Sequence, residues 1–168
     1  MTQLSINTTQ NVNINFTAAS VGDRIFAQLL DILVMIAYAV VVGVLLDITG
    51  LSTTIEAMDT WSVMGAYGII YSPIMFYTIV QESLWEGQTI GKRIMKTKVI
   101  KLDGYQAGFG DYLIRWLFRL VEILIGYGII ALIAVIASKK SQRLGDMAAG
   151  TAVINLKNKV NINHTIIQ

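Results

Sequence analysis

The chain has no cysteine, one histidine and one proline, and only 14% of its 168 residues are charged. Without cysteine there is no disulfide, no thiolate metal site and no thiol nucleophile. The lone histidine, His164, sits in a polar tail without a second ligand nearby, which argues against a metal centre and a Ser-His-Asp arrangement. No enzymatic activity and no cofactor are expected. Soluble domains carry about 25% charged residues. Here charge is scarce, 54% of residues are hydrophobic and the mean hydropathy is +0.59, the balance of an integral membrane protein. A net charge of +2 with no basic-aromatic pattern gives no reason to expect a nucleic-acid partner.

Three apolar regions follow a polar N-terminal segment, 1–17, which contains no basic residue and is not expected to be a signal peptide. The first, Ile25 to Leu46, is long enough to cross a ~30 Å hydrocarbon layer, yet it contains Asp31. The second, Trp61 to Val80, is uncharged; Pro73 within it should free the Ile69 carbonyl, and Gly65 and Gly68 suit close helix packing. The third, Asp111 to Ser138, places Arg115, Arg119 and Glu122 in its first half and only apolar residues in its second. It reads either as a single span or as a re-entrant hairpin bent at Gly126–Gly128.

The segment 47–60 is acidic, whereas 81–110 and the residues from Lys139 onward are basic, so the N-terminus and the second loop are expected in the cytoplasm. The β-branched runs "TKVIKL" (97–102) and "GTAVINL" (150–156) read as paired strands of a small cytoplasmic β element, which favours the hairpin. "NVNINF" near the N-terminus offers a third strand, and "VNIN" recurs at 160–163. The expected fold is an all-α membrane protein with two clear transmembrane helices, a third helical region and this β element. Its membrane domain spans 18–156, followed by a polar tail, 157–168.

Polar residues form stripes at helical spacing. Arg24, Gln28 and Asp31 share one face, as do Asp111, Arg115, Arg119 and Glu122. Lipid cannot satisfy such groups, so the stripes are expected to face one another. Arg24 is about 10.5 Å along the helix from Asp31, too far for a direct pair. Arg115 or Arg119 is therefore the expected partner of Asp31. Lys92 and Arg93 are expected to contact anionic lipid headgroups, and Glu82 and Glu86 to be solvated at the end of the second span. "GQTIGKR" (87–93) lacks the spacing of a phosphate-binding P-loop.

Arg24, Asp31 and Asp146, the last within "SQRLGDMAAGTAVI", resemble the arginine and two aspartates that name the RDD family. "WEGQTIGKRIMKTKVIKLDG" (85–104), "RWLFRL" and "QRLGDMAAGT" follow the family's order, from about Ala18 to Asn155. One departure is Lys96, where the family pattern has a small residue, often glycine. The resemblance implies a small bacterial inner-membrane protein with the second aspartate after the last helix. It implies transport of unidentified ligands as one activity, with cation/proton antiport proposed for some members.

Two functions fit these residues. In a cation/proton transporter, Asp31 is the exchanging carboxylate and Arg24, Arg115 and Arg119 tune it. In a non-catalytic subunit or scaffold of a larger membrane assembly, Arg24, Gln28, Asp31, Arg115, Arg119, Glu122, Arg143 and Asp146 form an internal charge lock. Asp146 then pairs either with nearby Arg143 or with Arg24. Two or three helices enclose little, so a homo-oligomer or partner membrane proteins are expected.

Overall fold

The computed structural model describes residues 3–7, 13–103, 105–126, 129–138 and 141–156. Helices dominate it. α1 (Val21–Ile48) starts at a reciprocal cap: the Asp23 amide donates to Ser20 Oγ, and the Ser20 amide donates to the Asp23 carboxylate. Such a box satisfies two of the donors that a helix start leaves open. A short α2 (Leu51–Glu56) turns the chain, and α3 (Thr60–Leu84) begins at an Asp59 cap. α3 runs through Pro73 without a break. The Ile69 carbonyl that proline leaves without a helical donor accepts from the Ser72 hydroxyl at 2.7 Å, and Tyr38 of α1 donates to Ile70 next to it at 3.0 Å.

After α3 come a single-turn α4 (Ile90–Ile94), strand β3 (Thr97–Lys101), α5 (Phe109–Gly126), α6 (Ile129–Ala137), α7 (Leu144–Ala148) and strand β4 (Thr151–Asn155). β3 and β4 pair antiparallel with Val99 opposite Val153. The third region therefore leaves and returns. α6 packs back on α5 and α1, and α7 packs against the first half of α5, where Gly145 lies under Arg115 and Phe118. α5 ends at Gly126 and α6 begins at Ile129; Tyr127 and Gly128, the rest of the expected bend, lie outside the described residues.

The N-terminal strand differs from expectation. β2 (Asn13–Thr17) pairs with β1 (Gln3–Asn7) in a sheet of its own; the chain just after it meets β4 through a bridge from Ala18 to Ile154 and a hydrogen bond from the Ala19 amide to the Val153 carbonyl. A local hairpin partner offers five residue pairs without a long loop to close, and it wins over the distant edge. The "VNIN" repeat at 160–163 lies outside the described residues.

α1 and α3 are both long and apolar enough to cross a membrane. Only 11% of the most apolar window of α1, and 6% of that of α3, is buried, so neither is the core helix of a soluble protein. The buried core lies at one end, between the strand pair and the helices, around Ala19, Ile79, Val99, Tyr112 and Val153. Outside it the polarity is inverted: Leu33, Ile36, Val40, Ile69, Leu117 and Ile125 face outward while Arg24, Asp31, Glu82 and Glu122 are buried. At 28 residues, α1 is about 42 Å long, roughly 12 Å more than the hydrocarbon layer. Its N-terminal turns lie beside α4 and the strand pair.

Candidate functional site

The polar stripes of α1, α3 and α5 meet at that end, closed over by α4 and α7. Asp146, near the start of α7, is the hub. Arg24 Nη1 donates to its Oδ2 at 3.0 Å, Arg115 Nη1 donates to Oδ1, and the Arg143 amide donates to Oδ2 at 3.1 Å. Arg24 also donates to the Ser141 carbonyl, and Arg115 to Thr151 Oγ1 at 2.9 Å. Asp146 thus joins α1, α5 and the entry to β4. Burial alone would push its carboxyl up, but Arg115, then Arg24 and Arg143, outweigh that and hold it at about 2.

Asp31 does not pair with Arg115 or Arg119. Its acceptors are filled by Thr89 Oγ1 at 2.6 Å, the Gly91 amide at 2.8 Å and the Tyr77 hydroxyl at 3.0 Å. α4 packs on α1 so closely that a Cβ on Gly91 would overlap the Ala27 carbonyl. The reason is geometric: α4 fills the face of α1 that the arginines would need, and its open amide and hydroxyl are nearer donors. Arg119 turns instead to Thr78 Oγ1, at 2.7 Å, and to Gln28.

Two further placements differ from the sequence reading. Lys92 points inward, its side chain 17% exposed, and pairs with Glu82 rather than reaching headgroups. Glu82 is buried, between Lys92 and Arg115, whose Nε lies 3.5 Å away. Burial pushes the Lys92 ammonium down to about 8 against the pull of Glu82. Arg93 stays exposed, stacked over Trp85, and Glu86 is exposed with Lys98 at 3.0 Å. Lys92 sits on a five-residue helix, too short for periodicity to show its direction.

Two backbone positions shape this end. Gly87 has φ +87°, and a Cβ there would come within 2.7 Å of the Val99 carbonyl. Lys96 has φ +54°, so the turn into β3 is made with a residue poorly suited to it.

Between these groups lies a cavity of about 40 Å³, into which Arg119, Glu122 and Arg143 also face. Glu122 Oε1 is buried with no hydrogen-bond partner. Every charged residue singled out from the stripes except the exposed Arg93 and the outer Asp111 therefore lines one site. Among the described residues no group of His, Cys, Asp or Glu side chains converges as a metal site requires. Gly65 and Gly68 lie elsewhere, exposed on α3, and among the described residues no other helix packs against them.

The RDD family model matches residues 18–150, which covers all three of the residues that give the family its name. The chain belongs to the RDD family. It is also similar to the uncharacterized protein YckC of Bacillus subtilis, 34% identical over 83 residues, 48% of this chain and 55% of that protein. The chain thus spans about half the length of that relative. No solved structure matches. The name-giving residues of this RDD protein do two jobs: Arg24 and Asp146 join the first helix to the last, and Asp31 docks α4 through the Thr89-x-Gly91 segment.

Proposed function

We propose that this RDD protein is a non-catalytic membrane subunit or scaffold whose buried charges act as an internal lock. The observation that carries this reading is the triple occupation of Asp31. Its two oxygens accept from Tyr77, Thr89 and Gly91, all neutral donors of this chain, which tie the carboxylate to α3 and α4. In this reading the inner bacterial membrane holds α1 and α3, with the N-terminus, α4 and both strands of the β3–β4 pair in the cytoplasm. Arg93, Lys98 and Lys101 face anionic headgroups there, while Gly65 and Gly68 dock a second copy or another membrane protein.

Cation/proton transport is the second reading, favoured by the charged cavity and the unpartnered Glu122 oxygen. Proteoliposomes with a trapped pH-sensitive dye separate the two. Pulses of Na⁺, K⁺ or Li⁺ are expected to produce no proton flux in wild type, while Asp31→Asn lowers the melting temperature. Cation-dependent flux that vanishes in a still-folded Asp31→Asn protein overturns the lock in favour of transport.

A further inference from the structure

The lock leaves three charged groups over. Asp146 and Glu82 take up Arg24, Arg115 and Lys92, and Asp31 is satisfied by neutral donors. Arg119 bonds only the neutral Gln28 and Thr78, and neither its guanidinium nor that of Arg143 has a carboxylate within 4.0 Å among the described residues. Glu122 is 5% exposed, likewise makes no ion pair, and has an oxygen that receives no hydrogen bond. All three line the cavity, whose five cationic and four acidic side chains leave one positive charge in excess.

We propose that this cavity co-binds a small inorganic anion and a proton, the anion between Arg119 and Arg143 and the proton on Glu122. The size suits a small ion: a cavity of about 40 Å³ has room for a chloride or a nitrate. Forked guanidinium donors suit an oxyanion or halide and have unused N–H groups here. An anion on the two arginines removes the positive charge that faces Glu122. A bare buried carboxylate beside it is then costly, and a proton relieves it. The protonated acid also turns its unpartnered oxygen from an idle acceptor into a donor toward the anion.

The pH dependence belongs to Glu122 among groups on every side. Arg143, Asp146 and the Leu144 amide face it from the α7 segment, and Arg119 from its own helix. Arg24 and Asp31 on α1, Glu82 on α3 and Lys92 on α4 border the same cavity, and α6 carries no ionisable residue. Anion and proton binding are reciprocal, so each tightens the other. The inference uses Arg119, Glu122 and Arg143, none of which belongs to the ion pairs around Asp146 and Glu82, so it can fail while those pairs stand.

The test uses the whole protein in detergent, in chloride-free gluconate buffer, titrated with chloride and with nitrate. Calorimetry reads binding and a pH indicator in weak buffer reads protons. Expected, between pH 7 and pH 5 where the Lys92 ammonium, held at about 8, stays charged, are saturable binding of at least one anion, proton uptake along the same curve, and affinity rising at least tenfold as pH falls. Arg143→Gln, a half-buried residue without an ion pair, should keep its melting curve and bind at least tenfold more weakly. Glu122→Gln should bind with no proton uptake and no pH dependence. No saturable binding of either anion, meaning water alone fills the cavity, overturns the proposal. So does binding without proton uptake in wild type, or uptake that persists in Glu122→Gln. Glycerol 3-phosphate should not bind; if it does, the site is a headgroup site and the proposal fails.

Discussion

The Gly91 amide donates to Asp31 Oδ1 at 2.8 Å, and the same glycine has no room for a side chain against the Ala27 carbonyl. Removing the Asp31 carboxylate strands the Gly91 amide and the Thr89 hydroxyl at about 1–3 kcal/mol each. Asp31→Ala and Gly91→Ala should both detach α4, seen as faster tryptic cleavage at the lysines of 92–101. The double variant should be little worse than the worse single, because both break one contact. Unchanged cleavage in Gly91→Ala would sink the close approach.

Asp146 faces two guanidiniums, Arg24 and Arg115, and this predicts an order of effects. Asp146→Ala leaves Arg24 unpaired and Arg115 with Glu82 alone, and should cost about 3–5 kcal/mol. Arg24→Gln leaves Asp146 still paired with Arg115 and should cost clearly less. Reversing both charges, Arg24→Asp with Asp146→Arg, should rescue only in part, since Arg115 then faces a like charge. Chemical unfolding in micelles checks the order; full rescue by the double reversal would mean that Arg115 is not a true partner.

Acid should weaken the hub. The Asp146 carboxyl is held at about 2, below its ordinary 3.8, so folding favours its ionised form. The resulting stability, about 2 kcal/mol, is present above pH 4 and is lost as pH falls toward 2. The melting-temperature gap between wild type and Asp146→Asn should therefore close over that window. A gap that stays constant down to pH 2 would refute the depressed value.

Lys96 turns the chain at φ +54° with a side chain, where glycine is free of the clash. The left-handed penalty is about 1–2 kcal/mol, and glycine's extra unfolded-state entropy takes back about 0.5–1. Lys96→Gly should gain about 0.5 kcal/mol, and Lys96→Val should lose more than that. Melting curves of the three proteins should rank glycine, lysine, valine.

Much of this architecture was legible in the sequence, for physical reasons. The β3–β4 pair could be read because β-branched runs are rare signals in a helical chain, and their pairing in turn required the third region to return. That Asp146 could meet Arg24 was readable as an option, since few charges were available to compensate either one. The partners of Asp31 were not, because a backbone amide and two hydroxyls leave no charge pattern. Lys92 and Glu82 looked like ordinary interface residues; their ion pair depends on α4 packing on α1 beside the end of α3, which spacing along either segment does not encode.

Arg24 and Asp146 are 122 residues apart, and Asp146 lies close to the start of the last strand. At about 5–20 residues per second, ribosomal synthesis leaves Arg24 waiting roughly 6–24 s for its counter-charge. The fastening that secures the first helix is thus made 122 residues after Arg24 itself. Until α7 emerges, the Arg24 guanidinium at the rim of the first helix lacks the carboxylate it pairs with.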